Sequence, residues 1–130
     1  MIAFEKLKLK ASPNQYLVAP QGFCPLAKPH RIAPVFKVSA ANLREAFLGI
    51  AKAEPRVTSG ASEQALDQHD LVQRSALLGF ADDVTVRFIA LSPATSTLAI
   101  YSRSRMGWSD MGVNRKRIDL WLAKLAAKLG

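Results

Sequence analysis

The fold is decided by two neighbouring stretches of sequence, DDVTVRF at residues 82–88 and TLAIYSR at residues 97–103. In the first stretch Val84, Val86 and Phe88 alternate with polar residues, a period of two that is typical of a half-buried strand. The second stretch has the apolar content of another strand. Because only a short, proline-containing interruption separates them, we predict that the two strands form a β-hairpin.

Helical periodicity identifies two further elements. A helix is predicted over about Ala40–Ala53, with Ser39 as its N-cap and Pro55 just beyond its end. A second, amphipathic helix is predicted over about Met111–Leu129. Since each helix has an apolar stripe to bury, we expect an α+β fold, in which an antiparallel sheet of about four strands carries both helices on one face.

The rest of the chain is predicted to be less regular. Five prolines in the first third indicate an extended, irregular wrap over residues 1–34, outside an α+β core at residues 35–130. Short strands are expected at Pro34–Val38 and Leu71–Leu78, and a polar loop at Ser59–Gln68. No linker or repeat divides the chain, so a single domain is expected.

Composition excludes several classes of protein. The chain has 130 residues, of which 49% are apolar and 22% charged, and this is globular rather than disordered. The single cysteine, Cys24, rules out an intramolecular disulfide and a cysteine-rich zinc site. No stretch approaches the roughly 20 consecutive apolar residues of a membrane span, and the first ten residues contain no signal-peptide core. We therefore expect a cytoplasmic location, unless a further segment precedes Met1.

The formal net charge of +8 raises the expectation of an acidic partner. The charge is uneven, because residues 61–100 contain two basic and five acidic residues, whereas residues 101–130 contain seven basic and two acidic ones. An acidic middle segment argues against one continuous surface for nucleic acid. Nucleic-acid binding is therefore a weaker alternative that rests mainly on charge.

The segment between the last predicted strand and the last predicted helix concentrates hydrogen-bond donors. It reads YSRSRMGWSDMGVNR, residues 101–115. A helix start exposes unpaired backbone N–H groups and partial positive charge, so guanidinium and hydroxyl groups beside it are typical of an anion site. We predict that this junction binds a small anionic ligand or an acidic group on a partner, with Asn114 orienting the loop. The predicted ligand-binding residues are Arg74, Arg103, Ser104, Arg105, Ser109, Asn114 and Arg115.

The strand period limits how these residues can combine. It places Arg103 and Arg105 on the sheet face opposite Ser102 and Ser104, so the four cannot all line one pocket. An alternative is that Arg103, Arg105 and Arg115 form structural ion pairs, while the hydroxyls satisfy backbone groups. The candidate partners are Asp82, Asp83, Asp110 and Asp119. A purely structural interaction domain without a ligand is consistent with that alternative.

Catalytic signals in the sequence are weaker. GWSDM at residues 107–111 approaches the G-x-S-x-G pattern of serine hydrolases but lacks its second glycine, and neither His30 nor His69 is predicted to reach Ser109. The alternative of a small enzyme acting on a phosphorylated or carboxylated substrate would use Asp110 or His69 as its acid–base group. Asp67, His69 and Asp70 are spaced like possible metal ligands, but neither a zinc spacing nor a calcium loop is present. No cofactor fingerprint occurs either, so neither a cofactor nor a metal is expected.

Several short motifs resemble one known family. They are PNQYLVAP at residues 13–20, QRS at 73–75, DDV at 82–84, and the run from YSRSR to GVNR at 101–115. In this order they are similar to domain-of-unknown-function family 1499, which occurs in bacteria and plastids, over nearly the whole chain. The resemblance implies one complete small domain and brings no catalytic residues, because no activity is established for that family. Many members carry a membrane or export segment ahead of the domain, a feature this sequence does not show.

Overall fold

The computed structural model describes all 130 residues and contains six β-strands and two α-helices. Two single-turn 3-10 helices, Phe4–Lys6 and Gln64–Leu66, complete the regular structure. The elements are β1 Gln15–Ala19, β2 Arg31–Ile32, α1 Ala40–Ala53, β3 Val57–Glu63, β4 Gln68–Arg74, β5 Ala81–Ser92, β6 Thr95–Ser104 and α2 Val113–Leu129.

The six strands form one mixed sheet in the order β2-β1-β6-β5-β4-β3. Every neighbouring pair is antiparallel except β1 and β2, which are parallel. The predicted hairpin is present as β5 and β6, with Val84 opposite Ser102 and Phe88 opposite Leu98. The α+β class and the two helices are thus confirmed, whereas the prediction of about four antiparallel strands is wrong.

The first additional strand, β1, lies in the segment 1–34 for which the prolines predict irregular chain. Pro13 and Pro20 flank this strand instead of interrupting it, so neither removes a hydrogen bond from the ladder. All five residues of β1 are buried, and the strand pairs with β6 in the interior of the sheet. The irregular wrap is therefore wrong for β1 and for the two-residue strand β2 that pairs with it, because prolines mark the ends of an element as well as its absence.

The second additional strand, β3, replaces the first half of the polar loop predicted at Ser59–Gln68. It is an edge strand whose residues after Val57 are all exposed. Such a strand has no apolar face, so the alternation that identifies half-buried strands is missing from its sequence. Two other predicted strands differ: Pro34–Val38 contributes a single bridge from Phe36 to Ser96, and β4 ends at Arg74 rather than at Leu78.

Both helices pack on one face of the sheet, as predicted. On α1, Ser39 accepts a hydrogen bond from the Asn42 N–H at 3.1 Å and is the N-cap that the sequence indicates. The Phe47 ring meets Trp121 of α2 edge-on, with 6.0 Å between centroids. Neither helix combines the length and the hydrophobicity that spanning a bilayer requires. The core on this face includes Val18, Leu43, Phe47, Leu71, Val84, Val86, Leu98, Ile100, Ile118, Trp121 and Leu125.

The opposite face of the sheet is covered by the N-terminal segment. A smaller apolar cluster on this side contains Phe4, Leu17, Cys24, Ala99 and Tyr101. The first ten residues and the turns after β1 thus form a third layer. Because strand side chains alternate, β1, β5 and β6 contribute apolar side chains to both clusters.

We expect Leu17→Ala to lower the free energy of unfolding by about 2–4 kcal/mol, because it empties a fully buried position in an interior strand. The matched control is Leu26→Ala, which removes the same atoms from a side chain that is 55% exposed, and we expect it to cost less than about 1 kcal/mol. Urea-induced unfolding measures both. Equal and small losses would contradict the position of β1 inside the sheet.

Candidate functional site

A cavity of about 470 Å³ opens where β6 passes into α2, and we call it the junction cavity. It lies between two loops, the β4–β5 loop (residues 75–80) and the β6–α2 loop (residues 105–112). Its volume is within the usual range of small-molecule sites. The lining residues are Arg56, Gln73, Arg74, Ser75, Phe80, Ala81, Asp82, Ser104, Met106, Gly107, Ser109, Asp110, Val113 and Arg117.

The fully buried side chain of Asn114 organises the region beneath the cavity without lining it. Its Oδ1 accepts hydrogen bonds from Ser102 Oγ at 2.6 Å and from the Arg117 guanidinium at 2.8 Å. Its Nδ2 donates to Ser104 Oγ at 2.9 Å and to Asp110 Oδ2 at 2.7 Å. Asn114 therefore links β6, the β6–α2 loop and α2, and its engaged amide leaves no polar atom for a ligand.

The start of α2 is capped by Asp110. One carboxylate oxygen accepts from the Gly112 N–H at 2.8 Å and the other from the Asn114 N–H at 3.0 Å. Burial alone would raise the pKa of Asp110, but hydrogen bonds from Asn114 and Gly112 outweigh it and hold the pKa below its usual range. The neighbouring Ser109 instead accepts from the Met111 N–H at 3.3 Å.

This cap changes the interpretation of the helix start. The sequence suggests that unpaired N–H groups there are available to an external anion. In the structure two of those groups already bind the carboxylate of Asp110. Positive charge for a ligand must therefore come from side chains instead of from the helix terminus.

An ion pair between Arg117 and Asp82 lies in the wall of the cavity. The guanidinium Nη2 is 2.7 Å from Asp82 Oδ2, and the two side chains are only 7% and 13% exposed. Arg117 also donates to the Gln73 side chain on β4. The pair links α2 to two strands and adds no net charge to the cavity.

Two other guanidiniums at the cavity have no carboxylate partner. Arg56 donates from Nε to the backbone carbonyl of Arg74 at 2.9 Å, and Arg74 donates to the carbonyl of Gly79 at 3.0 Å. Neither takes part in any of the ion pairs of the protein. The positive charge of the junction cavity therefore comes from Arg56 and Arg74.

The predicted site residues do not form one cluster. Arg74, Ser104 and Ser109 line the junction cavity, with Asn114 directly beneath it. Arg115 instead is 74% exposed, with its Nε 3.7 Å from Asp119 Oδ2, and lines a separate cavity of about 480 Å³. It points away because it lies one position after Asn114 on α2, and adjacent helical residues project in different directions.

Arg103 and Arg105 lie on the opposite face of the sheet. Arg103 donates to Thr85 Oγ1 at 2.9 Å and stacks on the Tyr101 ring, 5.1 Å from its centroid. Arg105 binds both carboxylate oxygens of Asp83 at 2.9 Å. The Arg105 guanidinium holds the pKa of Asp83 below its usual range. Strand alternation thus separates these arginines from the cavity, and the structural ion-pair alternative is confirmed for Arg105.

Two residues that shape the cavity, Arg56 and Arg117, are absent from the predicted site. Arg56 comes near Arg74 only because β3 pairs with β4, and the sequence indicates a loop in most of β3. Arg117 looks like an ordinary charge on the solvent face of an amphipathic helix. Its position one turn after Asn114 is the one signal that connects it to the junction.

The histidines lie outside the junction cavity. His69 Nδ1 lies 3.1 Å from Ser62 Oγ and its Nε2 lies 2.9 Å from Asp67 Oδ1. These serine, histidine and aspartate side chains lie on the exposed β3–β4 hairpin. None of them lines any of the three principal cavities. No group of three or more histidine, cysteine or acidic side chains is arranged to hold a metal ion.

Most of the chain matches one known protein family. A family model described as "Protein of unknown function (DUF1499)" matches residues 8–125. The chain belongs to the DUF1499 family. The matched region contains both loops of the junction cavity and the buried amide of Asn114. No curated protein and no solved structure matches the chain.

In this DUF1499 chain we expect Asn114→Ala to lower the free energy of unfolding by about 2–4 kcal/mol, because it leaves buried partners of a hydrogen-bond network unsatisfied. The neighbouring substitution Arg115→Ala, at an exposed side chain, serves as the control and should cost less than about 1 kcal/mol. Chemical denaturation measures both. A loss at Asn114 no larger than that at Arg115 would show that the network is not stabilising.

The lowered pKa of Asp110 predicts a specific acid dependence. Its carboxylate stabilises the fold above the unfolded pKa, near 3.8, and this contribution disappears as the pH falls through the lower folded value. We therefore expect Asp110→Asn to lower the melting temperature at pH 7. The gap between the two proteins should close as the pH is lowered past 3.8. A gap that is independent of pH would contradict the capping role of the charge.

Proposed function

We propose that the junction cavity binds a small anionic amphiphile, with a phosphate or carboxylate group joined to an apolar body, and that the chain is a non-catalytic binding domain. The observation that carries the proposal is the combination of two unpaired guanidiniums, Arg56 and Arg74, with apolar lining residues. The apolar part of the lining includes Phe80, Met106 and Val113.

The acidic group of the ligand is inferred from the donors that stay free. Arg56 and Arg74 each use a single nitrogen to bind a backbone carbonyl, and a guanidinium has further N–H donors in a planar fork. That fork matches the paired oxygens of a carboxylate or phosphate. The hydroxyls of Ser75, Ser104 and Ser109 line the same cavity and supply shorter-range contacts.

The positions of the candidate acid–base groups support binding more than catalysis. The Asp110 carboxylate is held by Gly112 and Asn114, and its lowered pKa does not suit a general acid at neutral pH. His69 does not line the cavity. A catalytic role on a phosphorylated or carboxylated substrate would need another group to move the proton.

The distribution of charge on α2 gives little support to nucleic-acid binding. Three of its five basic residues form ion pairs with carboxylates, and these are Arg115, Arg117 and Lys124. Neutralised guanidinium and ammonium groups contribute less to the phosphate attraction that drives such binding. A small anion in the junction cavity uses the two arginines that carry no such partner.

The proposal is tested by titrating the protein with dodecyl phosphate below its micellar concentration while melting is followed. A ligand at about 100 times its dissociation constant adds roughly 2.7 kcal/mol and should raise the melting temperature by several degrees. The double variant Arg56→Ala/Arg74→Ala should weaken binding by at least about tenfold, because hydrogen bonds between charged groups are lost.

Two controls make the test specific. Arg105→Ala removes a guanidinium from the opposite face of the sheet and should leave the affinity unchanged. Dodecanol has the same apolar chain without the anion and should bind more weakly than dodecyl phosphate. Equal affinities for the two amphiphiles, or an equal loss in both arginine variants, would contradict the proposed site.

A further inference from the structure

We propose that the end of the sheet that carries the junction cavity docks on a lipid bilayer containing anionic phospholipid. The β4–β5 loop and the β6–α2 loop would enter the interfacial region of the bilayer, while Arg56 and Arg74 meet lipid phosphates. The inference deepens the proposed function by naming the source of the anionic amphiphile. The insertion of the two loops into the bilayer is argued from a separate observation.

That observation is a concentration of exposed apolar side chains. The five most exposed large apolar residues of the whole chain all belong to the two loops. The β4–β5 loop carries two of them and the β6–α2 loop carries three. They are Leu77 at 96% exposure, Met111 at 86%, Leu78 at 71%, Met106 at 70% and Trp108 at 65%.

The fold itself does not account for these residues. None of the five belongs to either buried core cluster, so their apolar atoms stabilise neither layer of the structure. Connecting loops are ordinarily polar, and a concentration of exposed apolar groups on one side of a domain is typical of an interaction surface. Phe80, 52% exposed, extends the same surface into the junction cavity.

The shape of this surface favours a bilayer as its occupant. The side chain of Leu77, which is 96% exposed, projects into solvent instead of forming part of a flat patch. The boundary between headgroups and acyl chains admits such projecting side chains to a depth of about 5–10 Å. Tryptophan is also enriched at that boundary, where its amphipathic ring is favourable.

Charge at this end of the molecule is complementary to anionic lipid. The β4–β5 loop, SALLGF, contains no charged residue. Two carboxylates line the cavity. Asp82 is paired with Arg117, whereas Asp110 keeps its charge and accepts hydrogen bonds from the start of α2, so the three lining guanidiniums exceed the two carboxylates by one positive charge. Arg56 and Arg74 remain unpaired beside the apolar loops, where they can reach headgroup phosphates.

The fluorescence of Trp108 can be used to detect this contact. Of its two tryptophans, Trp121 is 1% exposed in the core and Trp108 is 65% exposed in the β6–α2 loop. A change in tryptophan emission on addition of vesicles therefore reports mainly on Trp108. Insertion of its ring into the bilayer should move the emission to shorter wavelength.

The experiment mixes the full chain with unilamellar vesicles of phosphatidylcholine, or of phosphatidylcholine with about one-third phosphatidylglycerol. Co-sedimentation measures binding, and Trp108 emission measures insertion. We expect binding and a blue shift with the anionic vesicles, and at least about fivefold weaker binding to phosphatidylcholine alone. No sedimentation with either vesicle would overturn the inference.

A pair of variants separates insertion from simple charge attraction. Leu77→Ser/Leu78→Ser should weaken binding to the anionic vesicles by at least about tenfold, because it removes apolar groups that would be buried. The matched control Leu26→Ser/Leu91→Ser changes two leucines that are 55% and 54% exposed and lie outside both loops, and it should bind as the unmodified protein does. Equal binding by all three proteins would overturn the insertion of the loops.

Two further outcomes distinguish this inference from the proposed function. Binding of dodecyl phosphate without binding of vesicles would overturn the bilayer while leaving the junction cavity as an anion site. Binding of vesicles without binding of dodecyl phosphate would support the bilayer and contradict a cavity for soluble amphiphiles. A dimer in the absence of lipid, abolished by Leu77→Ser/Leu78→Ser, would show that a second copy of the chain covers the loops, and would also overturn the inference.

Discussion

The buried amide of Asn114 holds the last strand, the loop after it and the last helix in one arrangement. Its oxygen binds Ser102 and Arg117, while its nitrogen binds Ser104 and Asp110. An amide can serve all four because it contains donors and an acceptor in one plane. Through Arg117 the network continues to β5 and β4, so the walls of the junction cavity are set by one buried side chain and its partners.

Strand alternation distributes the polar chemistry of β6 between two different environments. Ser102 and Ser104 face α2 and belong to the network beneath the cavity. Arg103 and Arg105 face the N-terminal layer, where they meet Thr85 and Asp83. The serine–arginine alternation that looks like a single donor-rich motif is therefore two structural motifs, one on each face of the sheet. The guanidiniums left to bind an external anion are instead those of Arg56, directly before β3, and Arg74, the last residue of β4.

The elements that could be predicted are those whose signals are local. The cap at Ser39 and the apolar face of α1 lie within one short stretch, and the alternation in β5 is visible in seven residues. The strands β1 and β3 were not predictable in the same way, because one is bounded by prolines and buried on both faces, while the other is exposed on an edge. Neither has the period that identifies a half-buried strand.

The sequence by itself determined the α+β class, the helix pair, the β5–β6 hairpin and the junction as the segment richest in donors, since each depends on residues close together in the chain. Only the tertiary structure decided which charges are free. Arg56 and Arg74 meet through the pairing of β3 with β4, whereas Arg105 and Arg117 find carboxylates on β5. Ion pairing depends on distances of a few ångströms between distant parts of the chain, and local periodicity contains no information about those distances.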